Sequence, residues 1–157
     1  MRVVTWNINS VRLRIKSVRR VVKKLNPDIL CLQETKCLRE DFPFKDFKRM
    51  GFLQTEAYGI KGYNGVSISS KIPIVSYDKT TFCNKDDARH INIELLYQKK
   101  KINIHNFYIP AGGDEPDPKI NKKFKHKLQF LDEATKYFSN KNNADSDLIV
   151  VVGDLNI

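Results

Sequence analysis

The sequence predicts an α/β layered fold, and three observations predict it. Residues 2–8 (RVVTWNI) are β-branched and aromatic, with Val3 and Thr5 on one face and Val4, Trp6 and Ile8 on the other. That is the pattern of a strand covered above and below. An apolar stripe at helical spacing follows, formed by Val11, Ile15, Val18, Val22 and Leu25. A second short apolar run, residues 28–33 (DILCLQ), comes after Asn26-Pro27, a pair that stops a helix. The chain therefore starts β-α-β, which calls for helices layered on a sheet.

The remaining elements follow in order. Ser10 is placed to cap the first helix. Residues 41–51 (DFPFKDFKRMG) predict a short helix ending at Gly51. Strands are expected at 52–58, 65–70, 73–78, 91–97 and 102–109, with residues 98–101 (QKKK) as a charged hairpin tip. Residues 110–118 (PAGGDEPDP) read as a loop, in which Asp114, Glu115 and Asp117 are turn formers. A long helix should then bury Ile120, Phe124, Leu128, Leu131, Ala134 and Phe138, and turn its lysines to solvent. A polar turn at 140–147 and a last strand at 147–152 complete the chain, with no internal repeat.

At 157 residues and 41% hydrophobic, the chain can bury one sizeable core. It carries 28 Lys and Arg against 18 Asp and Glu, a formal charge of +10, which favours anionic partners and nucleic acid first. The three cysteines lack paired spacing, so neither a disulfide framework nor a zinc site is expected. Cys31 should be a core residue. No signal-type stretch and no run near the ~20 apolar residues of a membrane span is present. A cytoplasmic protein with no membrane partner is the expectation.

Four strands end in polar groups: Asn7 and Asn9, Gln33 and Glu34, Tyr108, and Asp154 with Asn156. Buried amides and carboxylates cost free energy unless something satisfies them, so one common site at these ends is a natural reason for them. Glu34 and Asp154 are carboxylates and the amides are neutral oxygen donors. Such an all-oxygen set suits a hard ion, Mg²⁺ or Mn²⁺. His105, inside a strand, is expected to be packed, and His126 solvated.

Five stretches, TWNINSVRLR, PDILCLQETK, GYNGVSISSKIPI, NFYIPAGG and VVGDLNI, resemble in order the motifs of exonuclease III-type AP endonucleases. These are a branch of the endonuclease/exonuclease/phosphatase superfamily. The resemblance implies a four-layer α/β sandwich. Residues 1–157 would supply its N-terminal half, a mixed β-sheet with flanking helices, with the second sheet largely missing. On that view the face bearing Val3 and Thr5 would lie uncovered.

The resemblance also implies Mg²⁺- or Mn²⁺-dependent cleavage of double-stranded DNA at abasic sites and 3′ ends in DNA repair, with no obligate protein partner. Glu34 looks like the main metal ligand, supported by Asn7. Tyr108 resembles a residue that contacts the scissile phosphate, Asp154 the carboxylate that activates or orients the attacking water, and Asn156 the amide beside it. Asn9 stands where members often hold an acid. Arg12 and Arg14, then Lys61, Tyr63 and Asn64, then Arg89, resemble DNA contacts. Because a later Asp-His pair facing the phosphate would follow residue 157, residues 1–157 alone are expected to be inactive or very weak. Two other readings stand beside this one: another phosphoesterase of the superfamily, and a non-catalytic remnant that binds DNA through its charge.

Overall fold

A computed structural model describes residues 1–140 and 148–157, with the backbone alone for Asn140. The polar turn expected at 140–147 therefore lies, beyond Asn140, outside the described residues. In chain order the elements are β1 (Val3–Asn7), α1 (Ile15–Leu25), β2 (Ile29–Gln33), α2 (Phe44–Arg49), β3 (Gln54–Ile60), β4 (Tyr63–Ser70), β5 (Ile74–Asp78), β6 (His90–Tyr97), β7 (Lys100–Tyr108), α3 (Lys122–Asn140) and β8 (Leu148–Asp154). No helix among the described residues is long and apolar enough to cross a membrane.

The strands form two mixed four-stranded sheets, ordered β1-β2-β4-β3 and β5-β6-β7-β8. β1 runs parallel to β2 and β8 parallel to β7, while the other neighbours are antiparallel. The α/β class is as expected, but the second sheet is not largely missing. The hairpin β6–β7 supplies it with a period-two face of Ile91, Ile93, Leu95, Ile102 and Ile104, which packs on Ile29, Cys31, Val66 and Ile68 of the first sheet. Val3 joins this inter-sheet core at its edge, so the face expected to be bare is covered. Thr5, on the same face, stays exposed at the strand edge.

Helices close both outer faces. Val18 and Val22 of α1 and Phe47 of α2 pack on Leu30 and Leu32, together with Val4, Trp6 and Ile8. On the far side, Phe130 and Ala134 of α3 pack on Phe82, Phe107 and Ile109. The buried stripe of α3 is the expected one only in part: Ala134 and Phe138 pack inward, but Ile120, Leu128 and Leu131 are 72%, 42% and 40% exposed, and Phe130 and Tyr137 take their place. The aromatic rings of β6 and β7 select that face, His90 and His105 included, which are buried and stack 5.2 Å apart.

Two local expectations also change. Ser10 caps no helix: it has φ +83°, and α1 starts at Ile15 after Arg14, which makes no side-chain cap bond. The reason is that residues 10 and 11 are tied to the end of β2, Ser10 N donating to the Glu34 carbonyl (2.7 Å) and Val11 N to that of Thr35 (3.2 Å). The hairpin tip narrows to Gln98 and Lys99, both left-handed, the conformation a two-residue turn between twisted strands requires. The acidic loop is a turn as expected, with Asn121 Nδ2 donating to the carbonyls of Gly112 (2.9 Å) and Glu115 (2.6 Å).

Candidate active site

β1, β2, β7 and β8 deliver their last residues to one end of the sandwich, and a hydrogen-bonded chain joins them. Asn7 Nδ2 donates to Glu34 Oε1 (2.8 Å) and to Asp154 Oδ2 (2.6 Å). Tyr108 Oη donates to Glu34 Oε1 (2.9 Å). Lys36 Nζ sits 2.8 Å from Glu34 Oε2 and donates to Asn9 Oδ1 (2.6 Å). Asn9 therefore serves this cluster through Lys36, while its backbone N–H donates to Asn7 Oδ1 (3.1 Å).

The local backbone explains how Glu34 is presented. Glu34 and Lys36 are both left-handed, φ +53° and +51°, a conformation that costs non-glycine residues energy and persists only where surroundings enforce it. Here Thr35 N and Lys36 N donate to the carbonyls of Gly65 (3.1 Å) and Asn64 (2.9 Å). A Cβ on Gly65 would stand 2.2 Å from Thr35 Oγ1, so only glycine permits this approach. Burial would push the Glu34 carboxyl up, but hydrogen bonds from Asn7, Lys36 and Tyr108, with the Lys36 charge, outweigh it and hold it below the ordinary value. Burial, followed by the bond to Glu34 and its charge, pushes the Tyr108 phenol up to about 12, so Tyr108 is a donor at neutral pH.

Asp154 pairs with Tyr108 across the parallel β7–β8 ladder. Its Oδ1 accepts from Asn156 N (3.0 Å), and Asn156 Nδ2 in turn donates to the Ile109 carbonyl (2.7 Å). Lys127 of α3 donates to the carbonyls of Leu155 (3.5 Å) and Asn156. At least one lysine of the basic helix thus reaches the site, against the expectation of a wholly outward row.

The expected DNA contacts divide. Arg12 and Arg14 line an open groove of about 660 Å³ beside Glu34, together with Asn9, Leu13, Lys36 and Gly62. Lys61 and Tyr63 stand exposed on the β3–β4 turn next to it. Asn64 is 2% exposed, and its Nδ2 donates to the Asp87 carbonyl (2.7 Å), which ties the loop before β6 to the site. Arg89 is 8% exposed. Its Nε binds Asp87 Oδ2 (2.6 Å), its guanidinium lies 4.9 Å from the centre of the Tyr108 ring, and it donates to the Tyr108 carbonyl (3.2 Å). These contacts hold Arg89 against Tyr108.

Sequence reasoning assigned no role to Lys36 or Asn106, and placed Gln33 among the polar strand ends without a partner. Asn106 is fully buried in the second sheet, yet its Nδ2 donates to the carbonyls of Leu32 and Ser67 in the first (3.0 Å each). Its Oδ1 accepts from Gln33 Nε2 (2.6 Å), which also donates to Thr5 Oγ1 (2.9 Å). This amide pair locks β2 to β7 just beneath Glu34 and Tyr108. No periodicity in the sequence singles out Lys36 or Asn106.

Among the described residues no group of three or more His, Cys, Asp and Glu stands together. The two carboxylates, bracketing one amide, still fit a hard divalent cation that keeps several waters, since such an ion takes few protein ligands and only oxygens.

A family model described as the Endonuclease/Exonuclease/phosphatase family matches residues 4–157. The exodeoxyribonuclease III of Haemophilus influenzae is 28% identical over 159 residues, covering all of this chain and 58% of that protein. A DNA-(apurinic or apyrimidinic site) endonuclease of Dictyostelium discoideum is 26% identical, covering 42% of its length. Among solved structures, an AP endonuclease from Archaeoglobus fulgidus superposes with a TM-score of 0.84 at 31% identity. A Neisseria 3′ phosphatase, NExo, bound to a product DNA hairpin, superposes with 0.84 at 28%. Both cover the whole of this chain and 58% of theirs. The chain thus spans between 42% and 58% of the length of these relatives.

Proposed function

Because the chain belongs to the endonuclease/exonuclease/phosphatase family, we propose that it forms part of a DNA-repair nuclease that hydrolyses phosphodiesters of double-stranded DNA at abasic sites and 3′ ends. One observation carries this: four strand ends join Asn7, Glu34, Tyr108 and Asp154 in a single hydrogen-bonded chain beside a groove lined by Arg12, Arg14 and Lys36. The three curated or solved relatives named for DNA or abasic-site cleavage are consistent with it.

Hydrolysis needs a positioned water, a base for its proton, and charge against the developing oxyanions. Asp154 is the base: Asn7 and Asn156 fix its two oxygens, so a water on the groove side meets an oriented carboxylate. Glu34 would hold Mg²⁺ or Mn²⁺ with Asn7 beside it, and the bound ion would supply positive charge to the phosphate oxygens. Tyr108 keeps its proton and donates it in a hydrogen bond, to Glu34 in the free protein and to a phosphate oxygen in the complex. Arg12, Arg14 and Lys61 neutralise flanking phosphates, which makes binding weaken steeply with salt. The free Cys31, Cys37 and Cys83 suit the reducing cytoplasm in which such a protein would work.

The test is incision of a duplex carrying one abasic site, in Mg²⁺, by the 157-residue chain and by its Asp154→Asn variant. Slow incision is expected, and removing the base should lower it by ~10²–10⁴. Equal rates for the two proteins would remove Asp154 from the reaction. Hydrolysis of soluble phosphomonoesters with no action on DNA would redirect the whole reading to a phosphatase.

A further inference from the structure

Leu13 is 82% exposed, and exposure of a single leucine is ordinary. Its setting is not. The turn that carries it is pinned at several points: Ser10 N and Val11 N bond the carbonyls of Glu34 and Thr35, Val11 is completely buried, and Arg14 N returns to the Ser10 carbonyl (3.3 Å). The Arg14 guanidinium also donates to the Asn9 carbonyl. Lys36, which binds Asn9 and Glu34 together, makes this turn and the candidate catalytic carboxylate one unit. A firmly held backbone therefore presents an apolar side chain to solvent, between Arg12 and Arg14, at the mouth of the basic groove. Gly62 lines the same groove, and Tyr63, the next residue, is 60% exposed.

We propose that Leu13 is an apolar wedge that enters duplex DNA where base stacking is already interrupted, and so sets the preference for damaged over intact DNA. The inference rests on the DNA-nuclease reading above and adds what that reading lacks, a residue that recognises the lesion. Arg12 and Arg14 draw phosphates of both kinds of duplex to the groove without discrimination. Insertion into an intact duplex requires unstacking, which opposes it. At an abasic gap or a frayed 3′ end that cost has already been met, and the leucine loses its contact with water against the exposed base faces. Burying most of a leucine side chain is worth about tenfold or more in affinity. Apolar wedges of this type are used by other proteins that kink or open the duplex.

The experiment measures binding of the 157-residue chain and of Leu13→Ala, without metal, to three fluorescent duplexes: intact, carrying one tetrahydrofuran abasic analogue, and with a frayed 3′ end. The parent should prefer the two interrupted duplexes. Leu13→Ala should lose about tenfold of that preference while its affinity for the intact duplex and its salt slope stay unchanged. A 2-aminopurine placed opposite the abasic analogue should change its emission with the parent and much less with the variant. An equal loss on all three duplexes, or none, overturns the wedge. A melting temperature lowered by several degrees in Leu13→Ala also overturns it, because the side chain would then be packed against protein. Absence of salt-dependent binding to any duplex is a different failure, of the DNA reading itself.

Discussion

Replacing Asn106 by alanine should destabilise the protein by about 3–5 kcal/mol. The buried amide bridges the two sheets with three hydrogen bonds, two donated to the carbonyls of Leu32 and Ser67 and one accepted from Gln33. A typical buried hydrogen bond contributes roughly 1 kcal/mol net, and a polar group left unpartnered costs about 1–3 kcal/mol. Gln33 keeps Thr5 as a second acceptor, which places the sum in the middle of that range rather than at its top. Set against a total stability of about 5–15 kcal/mol, the loss is large, and the midpoint of thermal unfolding should fall by on the order of 10 °C. Urea unfolding followed through the single tryptophan, Trp6, which packs against the first core cluster, reads it directly. Gln33→Ala and the double variant complete a cycle, in which the pair should couple by about 1 kcal/mol. A loss below about 1 kcal/mol for Asn106→Ala, or strict additivity with Gln33→Ala, would mean that the amide does not hold the sheets together.

Two further outcomes follow from the site. One tyrosine should ionise late, near pH 12, in a spectrophotometric titration, and be missing in Tyr108→Phe. The sign is fixed by the raised value: the stability this phenol contributes is complete below about pH 10, the ordinary value, and is lost as pH rises towards about 12, so the variant should flatten the alkaline limb. Gly153→Ala should be poorly tolerated, since its φ is +146° and an added Cβ would lie 2.0 Å from the Phe107 carbonyl oxygen. Either β8 leaves β7 or the protein does not fold, and a soluble variant with unchanged melting would refute the packing described.

Element types were legible wherever one periodicity ruled a segment. β1, β2 and the hairpin β6–β7 alternate or run apolar as strands must, and α1 shows its stripe at Val18 and Val22. The reading failed where tertiary contacts chose between equal options. α3 carries apolar residues on more than one side, and only the rings of β6 and β7 decide that Phe130 and Ala134 go inward. Ser10 is a good capping residue by type, yet bonds to β2 take its backbone out of helical reach. Polar residues ending apolar strands marked Asn7, Glu34, Tyr108 and Asp154, because nothing else justifies them there. Asn64 and Arg89 had no such strand-end signal and were named by resemblance alone; both are buried, bonded to the Asp87 carbonyl and carboxylate. A side chain that serves the site through another residue leaves no pattern of its own in a sequence.

Asn7 and Asp154, joined by one hydrogen bond, are 147 positions apart, whereas Asn7 and Glu34 are separated by 27. Contacts of such long separation form late, because the loop they close must be ordered first. On a ribosome adding about 5–20 residues per second, the amide of Asn7 would wait roughly 7–30 s for its second carboxylate to be made. During that interval β1 and β2 can pair, but the base that would activate water does not yet exist. The nascent chain therefore passes through synthesis with this hydrogen-bonded end half assembled, and the bond from Asn7 to Asp154 closes only when β8 settles beside β7.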